Sequence, residues 1–118
     1  IKFLIDVFIH VKLYFHSNTR SYDSNVSPGS RLQAVDFVNV YNHECDWVIT
    51  CVNPKFRLEA EGSPVPANEK IVLIHMKTNK ALGIVTDHQN SSRFELVAHT
   101  FLNSHKAEED VNHWRLVT

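Results

Sequence analysis

Short apolar runs, each followed by a cluster of polar turn residues, are the feature that most constrains the fold of this chain. The runs are rich in Val, Ile, Phe and Tyr and recur about every ten residues, which is typical of β-strands in an all-β domain. The best helical candidate, residues 104–111, has Ser104 as a cap but almost no apolar face, so we interpret it as a polar loop with one turn. The sequence predicts strands at residues 2–7, 11–16, 32–41, 46–52, 57–61, 70–75, 81–86, 94–101 and 113–117.

The strongest break in this pattern is the Gly-Ser-Pro-Val-Pro segment at residues 62–66. Its two prolines remove two amide donors and favour an extended path without strand pairing. We interpret the segment as marking a unit boundary, and we divide the chain, a single all-β domain or a fragment of one, into two units at residues 1–56 and 57–118.

The two units share a weak internal repeat, in which each unit has four strands and closes on a Trp-x-apolar strand. Four-stranded units of this order predict a β-trefoil, in which three units surround a pseudo-threefold axis, with two of the three present here. Chance similarity and a β-sandwich of about nine strands stay open as alternatives. The matched segments are Leu4-Ile5 with Leu73-Ile74, Leu13 with Leu82, 33–35 with 95–97, and 46–49 with 113–116.

The charge balance argues against nucleic-acid and membrane partners. The 118 residues include 12 Lys and Arg against 13 Asp and Glu, a formal net charge of −1, so the long-range attraction to phosphate is missing. The apolar start, residues 1–15, is interrupted by charged side chains, so we expect neither a signal peptide nor a spanning helix there. A first residue that is Ile and not Met indicates a fragment or a trimmed domain.

Candidate catalytic and metal-binding residues form no recognisable constellation. Cys45 and Cys51 match no common zinc or redox spacing, and we expect two reduced thiols. The eight histidines form no HExxH motif, and the three glycines form no phosphate loop. A nucleophile pair of Cys45 with His43 or His99 lacks an oxyanion-hole signature, and Glu59 and Glu61 beside Arg57 are typical of a solvated strand face. We therefore expect no enzyme activity, no cofactor and no metal.

Four segments in the second half resemble the cilia- and flagella-associated protein 161 family in the same order and at similar spacing. They are RLEAEGSPVPAN at 57–68, IVLIH at 71–75, ELVAHT at 95–100 and NHWRLVT at 112–118. Residues 13–52 resemble the family more loosely. Residues 5–12 differ from the family pattern, because they contain no glycine where the family has a glycine-containing turn between two strands. The pattern of 72–75, Thr78, Leu82 and Trp114 also resembles a MIR repeat.

This resemblance implies a non-enzymatic microtubule inner protein with a MIR-like β-trefoil. Its implied partners are α/β-tubulin and other microtubule inner proteins, and its implied location is the reducing lumen of the A-tubule in axonemal doublets. The alternative is a MIR-type trefoil that binds glycans or proteins in the secretory pathway, since 25–27 and 90–92 read as glycosylation sequons.

Two sets of residues follow as site predictions. Because tubulin is acidic, exposed basic loop residues are the predicted partner contacts, and these are Arg57, Lys77, Lys80 and Arg93. The predicted core anchors are Trp47, Trp114, Leu73 and Val97.

Overall fold

Two antiparallel β-sheets make up most of the regular structure in the computed structural model, which describes residues 4–6, 12–87 and 90–117. The first sheet has three strands in chain order, β1 (Leu4–Asp6), β2 (Lys12–Ser17) and β3 (Val35–Val38). The second has four, β4 (Trp47–Cys51), β5 (Ile71–His75), β6 (Lys80–Asp87) and β7 (Asn90–Ala98). The predicted all-β class is confirmed. The predicted strands 2–7 and 11–16 overlap β1 and β2, and residues 2–3, 7 and 11 lie outside the described residues.

The predicted strand at 57–61 is wrong, because this segment is helical. A 3-10 helix, Pro54–Phe56, runs directly into the single turn of α1 (Arg57–Ala60). The side chain of Asn53 accepts a hydrogen bond from the Lys55 amide, and proline occupies the first helical position. This local start signal outweighs the alternating pattern that follows it. Residues 62–66 carry no helix or strand, as predicted for the break.

The predicted strand at 113–117 is reduced to one bridge. Trp114 and Ile71 exchange two backbone hydrogen bonds, with N···O distances of 2.8 and 2.9 Å. The ladder does not continue because Asn68, which bonds Leu116 O at 2.9 Å, has a left-handed φ of 63° that turns its chain out of an extended path. In the predicted polar loop 104–111, the chain forms turns and begins the 3-10 helix Asp110–Asn112.

One apolar core lies between the two sheets. Its buried members are Trp47, Ile71, Leu73, Leu82 and Ala98, and residues from β2, β3, β4 and β7 pack against them together with Trp114. Val97 is fully buried on β7. It forms an isolated β-bridge with Ala34, the residue directly before β3. The structure therefore places all four predicted anchors in or against the interior.

The two tryptophans have the same local structure in the two halves of the chain. The indole Nε1 of Trp47 donates to the carbonyl of Phe15 at 3.2 Å, and that of Trp114 donates to the carbonyl of Leu82 at 2.8 Å. Sixty-seven positions separate the tryptophans and also separate their acceptors. A 3-10 helix precedes each tryptophan, and the same interval separates His43–Cys45 from Asp110–Asn112.

Candidate partner-binding surface

Two of the four predicted basic residues lie together at the turn between β5 and β6. Lys77 is within the turn, and Lys80 is the first residue of β6; both are exposed. Lys77 Nζ lies 2.9 Å from Glu44 Oε1, so part of its charge is balanced within the molecule. Lys80 has no ion pair among the described residues. The turn therefore presents one free ammonium group and one paired group at the same end of the sheet.

Arg93 is exposed but lies away from this turn. It precedes Phe94, which pairs with Thr86 near the far end of β6, whereas Lys80 begins that strand. Six residues of extended chain separate the two ends, a distance of about 20 Å. The structure therefore does not bring Arg93 into one cluster with Lys77 and Lys80.

Arg57 is engaged inside the molecule. Its Nη2 lies 2.6 Å from Glu108 Oε2, and Glu108 is only 6% exposed. Its Nε donates to the carbonyl of Cys51 at 2.9 Å, and Nη2 also donates to Val52 O at 3.3 Å. These bonds tie α1 to the end of β4 and neutralise a buried carboxylate. Arg57 is thus a structural residue in the described chain and has little charge to offer a partner.

A histidine held between two carboxylates supports the basic turn, and the sequence reasoning did not single it out. His16 on β2 lies opposite Asp36 on β3, and its Nδ1 is 2.6 Å from Asp36 Oδ1. Its Nε2 is 2.6 Å from Glu44 Oε2, the carboxylate that also receives hydrogen bonds from Lys77 and Asn18. The strand register could have suggested the first contact, but the second joins positions 28 residues apart.

The charges in this cluster favour its ionised forms. Burial lowers the pKa of His16, but the hydrogen bonds and charges of Asp36 and Glu44 outweigh burial and raise the pKa above its ordinary value. Hydrogen bonds from Lys77 and then His16 lower the pKa of Glu44. The cluster is therefore a set of alternating charges that links the first sheet to the β5–β6 turn.

A second, neutral histidine fastens the same turn. His75 is fully buried, and its Nε2 donates to the backbone carbonyl of Glu44 at 2.7 Å. Its Nδ1 then accepts a hydrogen bond from Thr78 Oγ1 at 2.7 Å, and Thr78 in turn accepts one from Gln33. Burial lowers the pKa of His75, which agrees with this neutral tautomer. The turn that carries Lys77 is consequently held by Thr78, which bonds both His75 on β5 and Gln33 in the segment before β3.

Groups that could bind a metal ion do not converge in the described parts of the chain. Across residues 4–6, 12–87 and 90–117, no three His, Cys, Asp or Glu side chains are placed to hold a metal ion. Cys45 is buried with its thiol toward Asn42, and Cys51 is a free, partly buried thiol. Glu59 and Glu61, predicted on one strand face, lie instead on α1 and just after it, both exposed.

No helix in the described chain has the length and apolar character needed to cross a membrane.

The architecture and surface define a small β-rich domain with an exposed basic turn on a buried polar support. Comparison with known proteins places this domain among cilia- and flagella-associated proteins. The family model described as "Cilia- and flagella-associated protein 161-like domain" matches residues 8–118, and the chain belongs to this family. The resemblance drawn from the sequence segments is confirmed.

Three curated relatives carry the name cilia- and flagella-associated protein 161. The Danio rerio protein is 40% identical over 111 residues, which cover 91% of this chain and 36% of the relative. The Mus musculus protein is 44% identical over 96 residues, which cover 75% of this chain and 31% of the relative. The Bos taurus protein is 38% identical over 113 residues, which cover 90% of this chain and 34% of the relative. The chain therefore spans about a third of the length of these relatives.

Proposed function

We propose that this domain is a non-enzymatic structural element of the axoneme, a microtubule inner protein that binds the luminal face of doublet A-tubules and stabilises them. The observation that carries the proposal is the family match, which extends over residues 8–118. α/β-Tubulin and neighbouring inner proteins are the proposed partners. In a confined lumen, many modest contacts hold a protein in place, so no deep pocket is required.

The basic turn supports this partner choice through charge. Lys80 and Arg93 are exposed without ion pairs among the described residues, and Lys77 retains an exposed stem beside Glu44. The hydrogen bonds of His75 and Thr78 hold the turn in one conformation, which lowers the entropy cost of binding an acidic surface. Arg57 is removed from the proposed contact set because its guanidinium is committed to Glu108.

The proposed architecture is a MIR-like β-trefoil with units 1–56 and 57–118. Its support is the repeated local structure around the two tryptophans. Each indole donates to a strand carbonyl at the same sequence interval, and each follows a 3-10 helix. The antiparallel pairing of β4 with β5, and of Ile71 with Trp114, agrees with consecutive units that share a barrel.

The alternative, a glycan- or protein-binding module of the secretory pathway, draws no support from the first sequon. Ser27 is only 4% exposed, and the Asn25 side chain donates to the carbonyl of Thr19. Ser27 of this sequon is thus buried, and the half-buried Asn25 is hydrogen-bonded within its own loop.

The test is retention in axonemes. Full-length protein carrying Lys77→Gln, Lys80→Glu and Arg93→Glu is expressed in ciliated cells that lack the native protein, and doublets are washed with increasing salt. We expect the variant to leave doublets at lower salt than the native protein, because the attraction to an acidic lumen is reduced.

A matched control changes Lys55 and Lys106, two exposed lysines outside the proposed contact set, to Glu. The control should stay bound like the native protein. Equal retention of the folded triple variant and the native protein would refute the proposed contact surface, and absence of the native protein from washed doublets would refute the inner-protein role.

A further inference from the structure

Two cations and a histidine come together where β6 begins and β7 ends. The His99 amide donates to the carbonyl of Ala81 at 2.9 Å, so the residue after β7 lies beside the start of β6, where Lys80 stands. The partly buried ring of His99 contacts that of Phe101 edge to face, with 4.7 Å between the centroids. Burial, and then the positive charges of Lys80 and Arg20, lower the pKa of His99, so both cations lie within electrostatic reach of the ring.

Arg20 reaches this end of the sheet from the loop between β2 and β3. Its Nη1 donates to the carbonyl of Arg31 at 2.6 Å. Two residues further on, the carbonyl of Gln33 accepts a hydrogen bond from the Ala98 amide at 2.9 Å, which fixes the loop against the last residue of β7. A backbone carbonyl orients the guanidinium without balancing its charge. Arg20 is therefore held beside His99 as a cation.

Carboxylate partners are found for other cations of the chain but not for these. Arg57 is paired with Glu108, and Lys77 with Glu44. Among the described residues, no ion pair includes Arg20 or Lys80. The cluster of Arg20, Lys80 and His99 therefore carries a net positive charge in the described chain.

The backbone keeps Asp6 and Asp87 at a distance from this cluster. Asp87 is the last residue of β6, and seven residues of extended chain, about 23 Å, separate it from Lys80. Asp6 pairs with Lys12, the first residue of β2, whereas the loop that carries Arg20 follows the last residue of that strand. These positions leave the positive charge of the cluster unbalanced.

The segment before Trp114 also contacts His99, and it brings no opposite charge to the ring. Asn112 donates to the His99 carbonyl at 2.9 Å through a neutral amide. The Asp110 carboxylate lies 3.3 Å from Nδ1 of another histidine, His113, and Glu109 is exposed. The charges that shift the pKa of His99 are both positive.

Like charges around a partly buried ring raise the free energy of the cluster, and an anion between them lowers it. The formal net charge of −1 gives the chain no long-range attraction for a long polyanion such as a nucleic acid. A short acidic segment needs no such attraction. One carboxylate can accept hydrogen bonds from the remaining N–H groups of Arg20 while the Lys80 ammonium balances its charge. The cluster therefore suits an acidic segment of a protein.

We propose that the cluster of Arg20, Lys80 and His99 captures a carboxylate side chain from an acidic segment of a partner protein, and that His99 takes up a proton from solvent when this happens. The carboxylate lies between the two permanent cations, and the imidazolium becomes a third cation beside it, because an adjacent anion favours the charged ring. This inference rests on the proposed function for its acidic partner. It adds Arg20 and His99 to the contact set and makes binding proton-linked.

The test titrates the full chain with a capped hexaglutamate peptide and follows the His99 ring by NMR. We expect saturable binding and a His99 pKa that is higher in the saturated complex than in the free chain. Affinity should then rise as pH falls from about 7.5 to about 5.5, a range in which glutamate stays largely ionised. Capped hexaglutamine is the matched probe and should not bind.

Variants of the chain assign the binding to the cluster. Arg20→Gln and Lys80→Gln should each weaken peptide binding by about threefold, whereas Arg20→Lys, which keeps the charge, should weaken it less. Lys55→Gln, at an exposed lysine outside the cluster, should leave binding unchanged. His99→Gln should remove the dependence of affinity on pH, and His105→Gln, at an exposed histidine outside the cluster, should keep it.

The proposal is overturned by no binding of hexaglutamate, by equal binding of the native chain, Arg20→Gln and Lys80→Gln, or by an unchanged pH dependence in His99→Gln. Tighter binding of inorganic tripolyphosphate that the same variants weaken would also overturn it, because the cluster would then select phosphoryl groups. None of these measurements uses axonemes. Peptide binding as expected, together with loss of the native protein from washed doublets, would support the cluster and refute only the inner-protein role.

Discussion

Gly83 lies so close to Asn112 that a methyl group on its Cα would be 2.8 Å from Asn112 Nδ2. Asn112 is fully buried, and its side-chain amide donates to the carbonyls of Leu82 and His99 at 3.2 and 2.9 Å. Its Oδ1 accepts a hydrogen bond from the Phe101 amide at 2.8 Å. This one side chain therefore joins β6 to the segment that follows β7, and only a glycine on β6 leaves room for it.

Gly83→Ala should destabilise the domain by about 1–3 kcal/mol, because the added methyl group must displace a buried amide that holds three hydrogen bonds. Urea unfolding of the variant measures the change. In a double-mutant cycle, Gly83→Ala should cost less in the background of Asn112→Ala than alone. Strictly additive costs would show that the two residues do not constrain each other.

Trp114→Ala should cost on the order of 3–5 kcal/mol, since it removes a large apolar side chain packed against the core. Trp114→Phe keeps most of that area but loses the hydrogen bond to Leu82 O, so it should cost less. Thermal unfolding compares the two variants. Native-like melting of Trp114→Ala would contradict the placement of this indole.

Stability should depend on pH through His16. Its folded-state pKa is raised, so its contribution is fully present below the unfolded pKa of about 6.5 and is lost as pH rises through the higher folded value. The difference in unfolding free energy between the native chain and His16→Gln should therefore be largest in mildly acidic buffer and should shrink at alkaline pH. Glu44 acts in the opposite sense, because its lowered pKa gives stability that is lost as pH falls through its folded value.

His75 also contributes to the pH dependence of the unfolding free energy, and its contribution must be distinguished from that of His16. Burial lowers its pKa, so its neutral form stabilises the fold above 6.5 and that contribution is lost as pH falls below it. The native chain and His16→Gln share His75, and its contribution cancels to first order in their difference. Unfolding in urea at several pH values checks the prediction, and a difference that grows with pH would contradict it.

Removing the Arg57 guanidinium should reveal its structural role. Arg57→Met leaves the Glu108 carboxylate buried without its partner and should cost about 3 kcal/mol. The double variant with Glu108→Gln should recover part of this loss, because the uncompensated charge is gone. Lys80→Gln, at an exposed position, should change stability by less than about 0.5 kcal/mol. Equal, small effects of Arg57→Met and Lys80→Gln would show that the buried ion pair is unimportant.

Strand positions and core anchors could be predicted from the sequence because both depend on local chemistry. Runs such as 71–75 are apolar and β-branched, and they form strands wherever a partner strand is available. Trp47 and Leu73 are large apolar side chains within such runs, and burial is their most favourable state. The family also could be inferred from short segments, since it is a property of the sequence itself.

Register and the structure at 57–61 could not be obtained in this way. The sequence repeat matched Leu13 with Leu82, whereas the tryptophan hydrogen bonds match Phe15 with Leu82. A shift of two residues keeps every side chain on the same face of a strand, so the apolar pattern is nearly unchanged by it. At 57–61 the alternation of polar and apolar residues suited a strand, but the segment forms a helical turn that begins from Asn53 and Pro54.

The sequence by itself determined the strand-rich class, the aromatic anchors and the supply of basic side chains, because residue type and local spacing set these. Only the tertiary structure decided which cations remain free. Arg57 and Lys80 are equivalent as charges in the sequence, yet Arg57 meets Glu108 across 51 positions and Lys80 meets no carboxylate in the described chain. Whether a charge is neutralised depends on the distance to its counter-charge and on burial, and both are set by the path of the chain through space.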